Sequence, residues 1–206
     1  MKLIVGITGG SGVIYGIKLL EALFELDIKS HLIISEWGEK TIRIETNFTI
    51  EYVRSLASVN YDPHNMASEI SSGSFISDGM VIIPCSMKTL SSIANGYDDN
   101  LISRAADVCL KETRRLVIVP RETPLSRIHL VNMLRLNKAG AVLLPAMPGF
   151  YHKPESVDDL VNHIVGKVLD QFRIPNNAFK RWARSVDTEP ERFLPASAPW
   201  SISRAR

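Results

Sequence analysis

Five short runs of apolar and β-branched residues, Leu3–Thr8, Ser30–Ile34, Gly79–Pro84, Leu116–Pro120 and Ala141–Pro145, recur along the chain, separated by segments of helical period. Runs that stay apolar at every position predict strands covered on both faces, as a parallel sheet between helical layers requires. Helices are expected over Val13–Leu26, Glu36–Glu45, Thr49–Ala57, Ser86–Ala94, Asn100–Glu112, Leu125–Leu136 and Ser156–Phe172. In the last of these, Leu160, Ile164, Val168 and Phe172 recur every four residues and make one apolar stripe. The expected fold is therefore α/β, a three-layer doubly wound parallel sheet. The pattern weakens after Arg173, where Trp182 is the one large apolar anchor. A single domain is expected over residues 1–182, with 183–206 as a C-terminal tail.

A chain of 206 residues buries enough surface to need neither disulfides nor metals. Cys85 and Cys109, both with apolar neighbours, read as reduced thiols and point to a cytoplasmic protein. Leu3-Ile4-Val5 runs into Gly9-Gly10 too soon for a secretory signal, and no stretch approaches the ~20 apolar residues of a membrane span. Lys and Arg number 24 against 22 Asp and Glu, an excess that sits at one end. Residues 180–206 hold six basic and three acidic residues, leaving 18 and 19 in the first 179. A nucleic-acid binder would carry a basic stripe on its folded face, so no nucleic-acid partner is expected.

Ligands of an open parallel sheet bind beyond the carboxyl ends of its strands. Those ends read Thr8-Gly9-Gly10-Ser11-Gly12, Ser35, Cys85-Ser86-Met87-Lys88-Thr89, Arg121-Glu122 and Met147 through Tyr151. Bare N–H groups at helix starts, supplemented by hydroxyls, suit a phosphate dianion. The first loop has GxGxxxG spacing, Gly10, Gly12 and Gly16, rather than the dinucleotide GxGxxG, and a tight packing turn is the competing explanation. Ser35 stands where NAD would require an acid, so several neutral donor clusters favour a mononucleotide such as FMN. Ser71-Ser72-Gly73-Ser74 is either a further hydroxyl cluster of the site or a surface loop.

Arg104 and Lys111, seven apart, share one helix face, and Glu45 ends another helix. His129 has no partner at metal-ligand spacing, no CxxC or HxxxH occurs, and no metal site is expected. Ser11 lies outside any GxSxG elbow, which disfavours serine hydrolysis. The residues thus describe a binder of a flat, phosphorylated cofactor without naming a reaction.

Gly6-Ile-Thr-Gly-Gly-Ser-Gly12, Leu32-Ile-Ile-Ser35, Ser72-Gly-Ser74, Pro84-Cys-Ser86 and Asn100 through Asp107 together resemble the flavin prenyltransferases, the UbiX family. The resemblance continues through Leu110-Lys-Glu112, Val119 through Pro124, Ile128-His-Leu130, Asn132-Met-Leu134 and Pro148 through Pro154. Cys85-Ser-Met-Lys-Thr89, with Ser72-Gly-Ser-Phe75 before it, is similar to the branch known as the B components of hydroxyarylic (phenolic) acid decarboxylases.

This resemblance implies a flavodoxin-like or Rossmann-like fold. The implied activity transfers a dimethylallyl group from dimethylallyl phosphate to reduced FMN, giving prenylated FMN for a separate UbiD-type decarboxylase. It implies a homo-oligomer, commonly a dodecamer, with the site at subunit contacts. Gly9, Gly10, Ser11, Ser35, Ser86, Met87, Lys88, Thr89 and Arg121 correspond to FMN-binding positions. Arg104, Lys111, Glu122, Tyr151 and Lys167 correspond to the prenyl phosphate site. Lys167 replaces the arginine usual in many members and Gly10 a common alanine. Ser11 and Glu45 match positions with proposed roles as hydroxyl relay and base for proton traffic near flavin N5 and C6. Lys111, Arg104 and Lys167 would stabilise charge growing on the leaving phosphate, and Glu122 would hand it a proton. An FMN-dependent oxidoreductase or decarboxylase, or a non-catalytic flavin carrier subunit, would use the same phosphate loop without needing Arg104, Lys111 and Lys167.

Overall fold

The computed structural model describes residues 1–182; the expected tail, 183–206, lies outside the described residues. Six strands form one all-parallel sheet: β1 (Lys2–Ile7), β2 (Lys29–Ile34), β3 (Val59–Tyr61), β4 (Gly79–Cys85), β5 (Arg115–Pro120) and β6 (Val142–Leu143). Seven helices connect and cover them: α1 (Val13–Glu25), α2 (Glu36–Glu45), α3 (Ile50–Ser55), α4 (Met87–Ala94), α5 (Leu101–Lys111), α6 (Arg127–Lys138) and α7 (Val157–Gln171). A single 3-10 turn, Glu69–Ser71, precedes β4.

The apolar runs behave as the pattern predicts. Along β1, Leu3, Val5 and Ile7 point into one core with α1 and α7, while Ile4 points into the other with α4 and α5. Successive side chains on a strand face opposite ways, so a sheet buried twice must be apolar at every position. Helix starts are fixed by hydroxyl and amide caps: Ser35, Thr49, Ser86, Asn100, Ser126 and Ser156 each accept a backbone N–H in the first turn.

The strand order is β3-β2-β1-β4-β5-β6. That is the doubly wound Rossmann order, and without the three-residue β3 it becomes the flavodoxin-like order. The order reverses between β1 and β4, which are neighbours, and their carboxyl ends open the crevice that positions the site.

Three expectations require correction. β3 does not appear among the five expected strands, because its three residues lie at a sheet edge, largely exposed, and carry no apolar run. The expected strand Ala141–Pro145 contracts to half-buried Val142–Leu143. Leu144 still donates to the Ile118 carbonyl at 2.8 Å and Ala146 to the Pro120 carbonyl at 3.2 Å, so the segment keeps running beside β5 while Pro145, on this sheet edge, has no N–H to offer outward. Residue Gly16 of the GxGxxxG spacing serves packing: a Cβ there would stand 2.5 Å from the Ile83 carbonyl oxygen, so α1 lies close on β4 only because that position is glycine.

Candidate functional site

Thr8 ties the two strands at the switch point. Its hydroxyl donates to the Pro84 carbonyl at 2.8 Å and accepts the Ser86 N–H at 2.8 Å. The ends of β1 and β4 are therefore one rigid rim. A cavity of about 320 Å³ opens there, walled by Thr8 and Gly9 after β1, Ser35 and Trp37 after β2, and Ser86, Lys88 and Thr89 after β4. Asp99 and Asn100, at the start of α5, close one side.

Of the residues expected to hold FMN, five (Gly9, Ser35, Ser86, Lys88, Thr89) line this cavity. Ser35 caps α2 by accepting the Gly38 N–H at 3.0 Å, and Ser86 caps α4 by accepting the Thr89 N–H at 3.4 Å. The Ser35 hydroxyl, which accepts through a lone pair, keeps its own proton for an anion; the Ser86 hydroxyl donates its proton to Thr89 Oγ1 at 3.2 Å, which leaves the Thr89 hydroxyl proton to donate. Lys88 is exposed and paired with Asp99 at 3.2 Å. Gly9 is pressed against Trp37, where a Cβ would meet that residue's Cβ at 2.5 Å. Gly10 has room: its nearest neighbours, Pro84 and Ser86, would stand at 3.6 Å from a Cβ, an ordinary contact. Met87 packs its side chain toward the α4–α5 core, leaving only its backbone facing the helix start.

The rest of the first loop makes a second group. Gly12, with φ of 92°, donates its N–H to Glu45 Oε2 at 2.8 Å. The carboxylate thus occupies the first N–H of α1 that an anion would seek, and the loop presents an acid at this point. Arg121 Nε donates to the Ser11 carbonyl at 3.3 Å, and Glu122 stands next in sequence, accepting the Thr123 N–H at 3.1 Å. Burial raises the Tyr15 phenol above its ordinary range, with Arg121 opposing. Ser11, Arg121 and Glu122 accordingly lie in loops at the same end of the sheet, and Glu45, the last residue of α2, reaches the same place through Gly12.

Arg104 and Lys111 share a third place, with Ser71, Ser72, Gly73, Ser74 and Glu112, around an open pocket of about 570 Å³. The hydroxyl cluster is thus part of a cationic pocket and not a free surface loop. Arg104 donates to the Ser71 carbonyl at 3.1 Å and pairs with Asp107 at 3.0 Å and Asp98 at 3.4 Å. Burial and the neighbouring Asp107 raise the Asp98 carboxyl, with Arg104 opposing. Lys111 pairs with Glu112, which is held low by that contact. Arg114 clamps the segment from below through the Gly73 carbonyl at 2.6 Å.

Tyr151 and Lys167 form a fourth group, in the loop after β6 and on α7; both side chains are exposed. Within one chain the five residues expected at the prenyl phosphate therefore stand in four places: Arg104 and Lys111 on α5, Glu122 after β5, Tyr151 after β6 and Lys167 on α7. Only Arg104 and Lys111 share a pocket.

Sequence reasoning named Thr8 and Asn100 within their segments without giving them a role, and passed over Trp37 and His163. Trp37 follows Ser35 by two residues at a strand's carboxyl end, a position that signals a site wall. His163 carries no such mark, since its partners, Gly149 and Tyr151, are brought to it only by folding. His129, considered for metal binding, accepts the Ser126 N–H at the start of α6. Among the described residues no group of three or more His, Cys, Asp or Glu is placed to hold a metal, and no helix is long and apolar enough to cross a membrane. Cys85 and Cys109 are buried free thiols; burial raises both, that of Cys109 to about 11.

Residues 1–169 match the flavoprotein family. A probable UbiX-like flavin prenyltransferase of Streptomyces sp. (strain D7) is 53% identical over 184 residues, 89% of this chain and 92% of that protein. The crystal structure of AnUbiX (PadA1) in complex with FMN and dimethylallyl pyrophosphate superposes with a TM-score of 0.87 at 50% identity, over 88% of this chain and 97% of that one. The dodecameric FMN-dependent UbiX-like decarboxylase of Escherichia coli O157:H7 superposes with a TM-score of 0.87 at 52% identity, over 89% of this chain and 100% of that one.

Proposed function

This chain belongs to the flavoprotein family and, within it, to the UbiX-like flavin prenyltransferases, and on that premise we propose that it joins the dimethylallyl group of dimethylallyl phosphate to reduced FMN. The observation that carries the reading is the pairing of two kinds of pocket. The switch-point cavity offers neutral hydroxyl donors and helix N–H groups to a flavin phosphate. A separate pocket sets Arg104 and Lys111 against Ser71–Ser74. A redox flavoprotein or flavin carrier needs the first and has no use for the second.

Gly9, Gly10, Ser11, Ser35, Ser86, Met87, Lys88, Thr89 and Arg121 hold FMN on this reading. The donor set fits it: hydroxyls, two helix starts and the Trp37 wall make a site for a flat ring with a phosphate tail. Reduced flavin supplies the electron pair for the new bond as the carbon–oxygen bond to phosphate breaks. Lys111, Arg104 and Lys167 stabilise the charge that accumulates on the departing phosphate, Tyr151 donates to it, and Glu122 supplies its proton. Glu45, anchored by Gly12, takes up the proton released nearby, with Ser11 as relay.

Because these groups are spread over one chain, the complete site is assembled between copies in a dodecamer, for which the E. coli O157:H7 structure is the precedent. Residues 1–182 are the catalytic domain and 183–206 its tail. The buried free thiols and the need for reduced flavin support a cytoplasmic location. The product serves a UbiD-type decarboxylase. Reconstitution tests this: flavin released after anaerobic reaction should activate a flavin-free UbiD-type decarboxylase, where FMN alone does not. A decarboxylase equally active with untreated FMN would refute the assignment.

A further inference from the structure

Tyr151 is 42% exposed, yet its ring is tightly fixed. It stands edge-on to His152 at 5.4 Å and to His163 at 5.8 Å, and it lies against Gly149, where a Cβ would meet Tyr151 Cε1 at 2.9 Å. His163 is buried on α7 and stacks face to face with His152, ring centroids 5.3 Å apart. Its two ring nitrogens face different partners. The Gly149 N–H donates to Nδ1 at 3.4 Å, while Nε2 lies 3.3 Å from the Tyr151 hydroxyl.

These contacts determine who donates to whom. A backbone N–H only donates, so Nδ1 must be bare, and a neutral imidazole then carries its proton on Nε2. Nε2–H therefore donates to the Tyr151 oxygen. That oxygen, already accepting, has its own hydrogen left to point elsewhere, toward the exposed side. Burial, assisted by His152 and Lys167, lowers the His163 pKa, which keeps the ring in the neutral form the contacts require.

We infer that His163 is a positioning residue that turns the Tyr151 hydroxyl into an outward donor for the phosphate of the prenyl substrate. The inference rests on the placing of Tyr151 at that phosphate under the proposed function. Lys167 lies one helical turn after His163 on the same face of α7. Its ammonium brings charge without the planar fork of arginine, so directionality at this end of the phosphate falls to Tyr151. His163 supplies that directionality without touching substrate.

The test is calorimetric titration of dimethylallyl phosphate into the full-length, oxidised FMN-loaded protein. His163→Phe fills the ring space without nitrogens, His163→Asn restores a group near Nδ1 only, and His163→Gln restores a donor near Nε2. Phe and Asn should weaken affinity about fivefold, the worth of one hydrogen bond, and Gln by no more than about twofold. FMN affinity should hold in all three. Tyr151→Phe added to His163→Phe should cost nothing further. Wild-type affinity in His163→Phe, equal losses in all three variants, or full additivity with Tyr151→Phe would overturn the inference. Wild-type protein that binds dimethylallyl phosphate but forms no prenylated flavin would refute the proposed function and leave His163's role standing; wild-type protein that does not bind it would overturn both.

Discussion

Glu45 is held by a bond from the Gly12 N–H to Oε2, which fixes its position, and the proposed function gives it the role of base. A glutamine can accept the same N–H, so Glu45→Gln should keep the loop and FMN binding while removing the base. Turnover should fall by about 10²-fold or more, the usual worth of a positioned general base; a normal rate in single-turnover kinetics would remove Glu45 from the chemistry. The histidines at 31 and 163 make a different prediction. Burial lowers both, Glu69 opposing at His31 while Lys2 and Lys29 assist. The unfolded chain therefore takes up protons first as pH falls through about 6.5, and stability present above that pH is lost below it. The carboxylates of Asp159 and Asp170 are held low by hydrogen bonds, from the Glu155 N–H and from Arg181 respectively, and titrate only in stronger acid. Melting temperature should be level from pH 8 to 7 and decline toward pH 5, less steeply in His31→Gln; identical slopes would contradict the assignment.

At the scale of elements, two glycines of one motif, Gly10 in the first loop and Gly16 in α1, separate packing from binding. Gly16→Ala sets a methyl group against the Ile83 carbonyl and must push α1 off β4, a cost of about 1–3 kcal/mol in denaturant unfolding. Gly10→Ala meets only ordinary contacts and should change stability by less than about 0.5 kcal/mol. Equal effects would contradict a packing role for Gly16. The helices and the four long strands were legible because burial on both faces leaves unbroken apolar runs and because every helix but α1 starts on a side-chain cap. β3 was not, since a three-residue edge strand buries too little to leave a pattern. The site was legible in part. Ser35, Ser86 and Thr89 stand at strand ends, where topology alone predicts a ligand. Arg104 and Lys111 showed their shared face but not the Ser71–Ser74 wall opposite, whose approach depends on Arg104 and Arg114 binding its carbonyls. The reciprocal setting of Tyr151 and His163 is tertiary and left no local trace.

At the scale of the whole molecule, Trp37, Met147, Phe150 and Trp182, among the described residues, are each at least 65% exposed, a large apolar area for one chain to leave in water. Exposed aromatic clusters of this kind mark surfaces that other protein covers. On the proposed reading they meet other copies, and native mass spectrometry should find twelve chains; a monomer active in prenylation would contradict a site shared between copies. The charge balance also takes its meaning at this scale. The slight basic excess belongs to the end of the chain, while on the proposed reading the cations that meet the prenyl phosphate are few: Arg104, Lys111 and Lys167. The most direct test is the mass of the flavin itself, measured after anaerobic incubation of the protein with reduced FMN and dimethylallyl phosphate. The account predicts a flavin heavier by one five-carbon unit, with inorganic phosphate released in equal amount. Flavin of unchanged mass, recovered from folded and FMN-loaded protein, would contradict it.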